Sequence, residues 1–535
     1  MRITPCCSNR FKLKLLLTGF LLFAAGTCGA KPFPKDTLYS AVDSLAIAEL
    51  TAEQLLFLES DFIPLTFGEI TRPAPAAWRG MPPGFLDYRF EGIRLEEPLW
   101  GYWDNQLMPI EMIRQRRLEP GALQYRLIPI IPRSVKTPVS RIAYSQDFQF
   151  GLSYVDAALT QFYRPKSYFR LSGNNLVRPG SSPANTRGQI NTYRGQIHHQ
   201  ISTRLSLDIW FWQLRHLYRL TRFDQSPDTR RNRRIGNILW TSLIFKPDSL
   251  RRLRITPYLN FWEDRHRNRE NGLQRKSEIR STGITLAYQQ TGLLAGLQLT
   301  ADVQRHQITR GLYLQESGQW EGSTQAVLSR RILEIDFRLG GGYRSYEKVG
   351  SGADFSAEAA FELPLRVSHR LSMGQHPRNA PLAALFWKGD SIAPLASPLL
   401  PRRLTADYRL TYQAGNQFRL SFNPFYAFFE NGWEFRENSP AFVQRSFENS
   451  GFTVTAEKEY SFFSLKNNFT YSSNYQETYA PQINNVATAG FFFSAFQRAL
   501  LVEAYAIYHF LGKWRLLDYD PLVNQYSQTA REESN

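Results

Sequence analysis

The residues whose type and spacing could do chemistry are, first, two arginine-rich runs. One carries Arg219, Arg222, Arg230, Arg231, Arg233 and Arg234, the other Arg265, Arg267, Arg269, Arg275 and Lys276. A guanidinium offers two parallel N–H donors to a phosphate or carboxylate, so such runs suit anions. A pair of histidines, His198 and His199, and an acidic set, Glu334 and Asp336 followed by Arg338, are the other candidates. The acids share a face with a cation, so a cross-strand ion network accounts for them without a metal. No His-Glu-x-x-His, Gly-x-Ser-x-Gly or phosphate loop is present, and these residues point to no catalytic or metal site and no cofactor. The expectation is therefore a protein that is not an enzyme; a barrel phospholipase using His198 or His199 is the enzyme alternative.

The elements that must carry these residues repeat with period two. Leu404, Ala406, Tyr408, Leu410 and Tyr412 alternate with Thr405, Asp407, Arg409, Thr411 and Gln413, and Ala295, Leu297, Leu299, Ala301 and Val303 alternate with polar neighbours. The same reading makes Leu333, Ile335, Phe337 and Leu339 one face of a strand opposite Glu334, Asp336 and Arg338. Period two places alternate residues on opposite faces of a strand. The pattern continues from about residue 140 to residue 512.

Tight turns are expected at 246–250, 290–292, 330–331, 362–364, 414–416 and 458–460. Long polar loops alternate with them at 220–234, 263–278, 305–322, 374–401, 431–440 and 473–482. Ordered alternation of short and long connections is the mark of an outer-membrane barrel, whose periplasmic turns are short and whose outer loops can grow. By that rule Arg230, Arg231, Arg233, Arg234, Arg265, Arg267 and Arg269 lie in basic outer loops, where lipopolysaccharide phosphates or anionic solutes would meet them. Aromatic residues make up 14% of the chain, and Trp210, Trp212, Phe261, Trp262, Tyr288, Trp433 and Phe491 to Phe493 suit interfacial girdles.

The first thirty residues have the layout of a secretory signal: Arg2, Arg10, Lys12 and Lys14, an apolar run of about eleven residues from Leu15, then small residues to Ala30. That run is too short for the roughly 20 residues of a spanning helix. All three cysteines, Cys6, Cys7 and Cys28, precede residue 31, so disulfides and thiolate sites are excluded beyond it. The net charge of +17 falls to +13 without the signal's four basic residues. Charged residues on the clearest strands balance, seven basic against seven acidic, which gives no strongly anion-selective lumen. An exported chain without a nucleic-acid module does not point to nucleic acid.

Between residues 31 and 139 the alternation is absent, and one helix is expected at about 45–58. There Tyr88-Arg89-Phe90-Glu91-Gly92-Ile93-Arg94-Leu95, followed by Leu107-Met108-Pro109-Ile110-Glu111-Met112-Ile113, resembles the late part of the plug domain of TonB-dependent receptors. The match covers about 35 residues. Glu91, Gly92, Pro109, Ile110 and Glu111 are its motif positions; Glu91 replaces the family's usual Asp, and Gln115 to Leu118 interrupt its usual strand. Asp36-Thr37-Leu38-Tyr39-Ser40-Ala41-Val42 has the outline of the segment that contacts TonB.

The reading is an all-β chain: a signal at 1–30, a plug-like periplasmic or lumenal segment at 31–139, an antiparallel transmembrane barrel of about 16–18 strands at 140–512, and a C-terminal periplasmic tail at 513–535. An even closed barrel cannot use all nineteen segments counted, so one is set aside. The implied function is an outer-membrane transport barrel, porin-like or receptor-like, for a small solute, with lipid, lipopolysaccharide and, by resemblance, TonB as partners; a structural or adhesive barrel is the alternative.

Overall fold

The structure is a computed structural model that describes residues 52–533, apart from 67–69, 71, 109, 133–136, 148–151, 179–186, 221–229, 269–271, 273, 293–294, 312, 389–391, 416, 437–440, 461–462 and 496–499. The signal, the Asp36 to Val42 segment and Arg269 lie outside the described residues. No helix is long and apolar enough to cross a membrane among the described residues.

Nineteen strands, from Val139–Asp147 to Leu500–Leu511, form a closed barrel. The expectation of 16–18 is corrected. Each consecutive pair is antiparallel. An odd count of such strands leaves the first and last pointing the same way, so the barrel closes on a parallel neighbour and no segment need be discarded. Connections at one end, the turn end, run from two residues (165–166) to five (246–250); at the other, the loop end, they run from three (347–349) to the long segment 378–401.

The outward face is apolar and exposed, as at Phe211, Leu239, Leu243, Leu286, Leu299, Leu339, Leu420 and Leu465. The inward face buries Thr192, Arg194, Ser242, Thr256, Ser281, Thr405 and Asn468. This is the barrel pattern of strands with one greasy and one polar side. Leu333 and Glu334 do not extend that alternation: they form the two-residue turn between Gly318–Ile332 and Ile335–Tyr346, at φ +46° and +69°. Paired positive φ values match the twist of the flanking strands, and this overrides the apolar period at Leu333.

The described residues of 52–129 fill the lumen. A short helix α1 (Ala52–Leu56) leads to the hairpin β1 (Phe62–Pro64) and β2 (Ala76–Trp78). A four-stranded sheet follows, built from β3 (Asp87–Phe90), β4 (Ile93–Leu95), β5 (Ile113–Glu119) and β6 (Gln124–Pro129) in the order β4-β3-β6-β5. Gln115 to Leu118 therefore lie within β5 and do not break it. Trp210, Trp212, Trp262 and Trp433, expected in the girdles, are buried inside against this plug. Phe90 meets Trp212 edge-on at 4.8 Å, and Trp210 stacks on Trp240 at 5.6 Å. A lumen wide enough to hold a folded segment must supply it with apolar contacts, so its wall is not uniformly polar.

The chain leaves its last strand at the loop end, and residues 514–533 turn back as a hairpin (Trp514–Asp520 with Gln525–Glu533). The tail expected in the periplasm is thus a structured element at the end opposite to the plug's entry.

Candidate functional site: the plug in the lumen

Glu91 and Gly92 form the turn between β3 and β4, at φ +50° and +85°. The Glu91 carboxylate pairs with Arg254 of the wall, and the Arg254 Nη1 donates to the Glu91 carbonyl at 2.8 Å. Ile110 and Glu111 lie in a single 3₁₀ turn, Ile110–Met112. Pro109 is outside the described residues. Glu91 and Gly92 border a cavity that Ile110 does not line.

Three polar clusters the sequence did not reveal hold the plug to the wall. At the start of β3, Asp87 is fully buried among Arg344, Arg378 and Arg403. Arg403 Nη1 donates to Asp87 at 2.9 Å and to the Phe85 carbonyl at 2.8 Å; Arg344 Nη1 reaches the other carboxylate oxygen at 3.3 Å. Burial alone would raise the Asp87 carboxyl, but Arg403, Arg378, Arg94 and Arg344 hold it well below the usual carboxylate range. Arg344 also pairs with Asp354, which accepts from His376 at 2.8 Å; the second ring nitrogen of His376 meets the Gly121 carbonyl at 2.7 Å.

The second cluster lies at the loop end. Arg234 joins Glu97 and donates to Asp104 at 2.8 Å, and His216 sits 3.1 Å from the same carboxylate. Asp264 accepts from Arg275 (2.7 Å), Trp100 Nε1 (2.9 Å) and Asn524 (2.7 Å). Asn524 is the turn residue of the C-terminal hairpin, buried with Val523 and Tyr526. Its carbonyl takes the Tyr102 hydroxyl at 2.6 Å, while Tyr526 donates to the Pro73 carbonyl at 2.8 Å. The hairpin therefore closes the loop end over plug residues 97–104.

Toward the turn end, Glu119 of β5 meets Arg126 at 3.2 Å, Arg117 at 3.4 Å and Arg338 at 3.6 Å. Burial would raise its carboxyl; Arg126, Arg338, Arg117 and Arg370 bring it below the ordinary value. A cavity of about 350 Å³ opens beside it, where Arg89, Arg117, Arg126, Arg252, Arg254 and Arg344 outnumber Glu91, Glu119, Asp302 and Asp354. Such a lining favours a small anion over a cation of similar size.

The arginines expected in outer loops are corrected. Arg230, Arg231, Arg233 and Arg234 belong to the strand Arg230–Phe245, and Arg265 and Arg267 to Arg251–Asn268. The strands run past the apolar band before turning, so polar composition did not mark their ends. Alternation then separates the run: Arg234 points inward to the plug, while Arg231, Arg265 and Arg267 are exposed on the outer wall. His198 and His199 also part. His198 faces inward, 2.7 Å from Asp208, and His199 faces outward, stacked on Tyr163, so the two rings cannot act on one group.

No protein-family model matches this sequence, and no curated protein matches it. Solved structures do. The FrpB iron transporter from Neisseria meningitidis superposes with a TM-score of 0.68 at 10% identity, over 87% of this chain and 84% of that one. The siderophore receptor PirA from Acinetobacter baumannii gives 0.67 at 10% identity, over 88% of each chain. The ferric enterobactin receptor PfeA from Pseudomonas aeruginosa gives 0.70 at 11%, over 90% and 87%. The likeness spans plug and barrel together, and this chain has the fold of plug-and-barrel receptors, as residues 88–113 led one to expect.

Proposed function

We propose that this chain is a solute-uptake barrel of the bacterial outer membrane, which binds a small solute and admits it by rearrangement of its plug. The observation that carries this reading is the plug itself, seated in the lumen and tied to the wall through Asp87, Glu119 and the Asp104–Arg234 pair. A passive pore would gain nothing from a lumen filled in this way. The similar structures include an iron transporter and a siderophore receptor, which makes chelated ferric iron the first solute class to test. TonB is the energising partner, and Asp36 to Val42 is the segment it would engage.

The test is uptake of ferric enterobactin by cells expressing the full chain or a chain lacking residues 36–42. Uptake should be lost with the deletion while the barrel still migrates faster unboiled than boiled in detergent gels. Equal uptake by both chains would contradict coupling and return the passive reading.

A further inference from the structure

The outer wall carries a feature that solute uptake does not use. On five adjacent strands the outward residues change from apolar to basic on approaching the loop end. Strand Leu205–Leu220 presents Leu207, Ile209 and Phe211, then Arg215 and Arg219; Arg230–Phe245 presents Phe245, Leu243 and Leu239, then Arg233 and Arg231. Strand Arg251–Asn268 presents Leu253, Leu259 and Phe261, then Arg265 and Arg267. Gln274–Thr291 gives Leu286 and Ile284, then Arg280 and Lys276, and Ala295–Gly311 gives Leu299 and Val303, then Arg305.

Pairing sets these cations against one another. Arg219 opposes Arg231, and Arg231 opposes Arg267; in the next outward row Arg233 opposes Arg265, and Arg265 opposes Lys276. Side chains directly across an antiparallel pair lie roughly 5 Å apart, and like charges there are destabilising. Glu263 offsets part of this, 2.7 Å from Arg265 and 3.9 Å from Arg233, and Glu278 pairs with Lys276. Among the described residues Arg231 and Arg267 have no ion pair. An anion placed among these guanidiniums would relieve that repulsion.

We infer that this patch is a docking surface for the phosphorylated headgroup of a leaflet lipid, one bearing at least two phosphates. The proposal rests on the reading of the chain as a membrane barrel. Three features favour a lipid over a soluble anion. The basic rows continue directly from the apolar band, so a molecule with its tails on Phe211, Leu239 and Leu259 brings its headgroup to Arg233 and Arg265. The arginines share one outer surface, exposed at Arg231, Arg265 and Arg267. Their rows span three strands, so one phosphate can meet two guanidiniums while a second phosphate reaches the neighbouring row.

The test uses the full chain folded in zwitterionic detergent, with bisphosphorylated lipid A, dephosphorylated lipid A and inorganic phosphate as probes. The readout is the temperature at which the fast-migrating folded band is lost, together with bound lipid per protein. The variant is R231Q/R233Q/R265Q/R267Q, and R251Q at the turn end is its control. Wild type and R251Q should retain bisphosphorylated lipid and melt higher with it, while the quadruple variant binds at least ten-fold more weakly and melts no lower than wild type without lipid. Equal binding by the quadruple variant, equal effects of both lipids, or full competition by inorganic phosphate at the lipid's concentration would overturn the proposal. Absence of a fast-migrating band in wild type would instead sink the barrel reading.

Discussion

Asp87 is the residue on which plug seating turns, because its one carboxylate is shared by three buried guanidiniums. Asp87→Asn keeps the shape and leaves Arg403 without its carboxylate, while Arg344 keeps Asp354 and Arg378 keeps Glu96; breaking a buried pair in this way costs about 3–5 kcal/mol. Protease digestion of the reconstituted protein should then cut within residues 52–130, which wild type protects. The carboxyl is held below its unfolded value, so its contribution is present in full above about pH 4 and is lost only as pH falls through the depressed folded value. Protection should therefore be flat from pH 7 to pH 4; release of the plug between pH 6 and pH 5 would contradict the assignment. None of this cluster was legible beforehand. Asp87 stands directly before the recognisable Tyr88 to Leu95 stretch, but its partner Arg403 lies 316 residues on, and local patterning carries no signal for a contact at that separation. The inward position of Arg344 could have been read from period two, its partner could not.

Strand and turn order was largely readable, because every barrel strand with one apolar and one polar face must repeat its alternation. The segment 473–482 emerges with its expected bounds, and 246–250 is the turn it was expected to be. Strand ends were misplaced wherever the strand outran its apolar band, as at Arg230 to Arg234. The contact between wall and plug was hidden for a different reason: it depends on missing atoms. Gly374, on the strand Val367–Pro377, lies against the plug turn at Gly121, and a Cβ added there would fall 1.9 Å from the Gly121 carbonyl oxygen. Gly374→Ala should push the 120–122 turn off the wall and break the His376 contact. Overpacking of this kind costs about 1–3 kcal/mol, read as a lower temperature for loss of plug protection with the barrel band intact. Unchanged protection would show that the plug does not rest on this strand.

At the scale of the molecule, the odd strand count decides where the chain ends. With the first and last strands parallel, the plug enters at one end and the C-terminal hairpin sits at the other, with Asn524 against Asp264 and Tyr102. Parity reasoning from an even barrel puts the tail at the plug's end, since it assumes that every neighbour is antiparallel; in the nineteen-strand barrel the tail sits at the loop end. The chain beyond residue 30 has no cysteine, so single cysteines report cleanly. Glu532→Cys should react with a membrane-impermeant maleimide from the same side as Gln476→Cys and from the side opposite to Ser249→Cys; labelling of positions 532 and 249 from one side would contradict the nineteen-strand closure.

The same absence of cysteine permits the measurement that bears most directly on a plugged, lipid-facing barrel: spin labels placed singly along residues 205–219 of the protein in a phospholipid bilayer, with accessibility to oxygen and to an aqueous nickel complex. Labels at 205, 207, 209 and 211 should be accessible to oxygen, those at 215 and 219 to nickel, and those at 206, 210, 212 and 214 to neither. Nickel accessibility at 210, 212 and 214 would mean an open lumen, and nickel accessibility at 207, 209 and 211 would mean that no lipid meets this face.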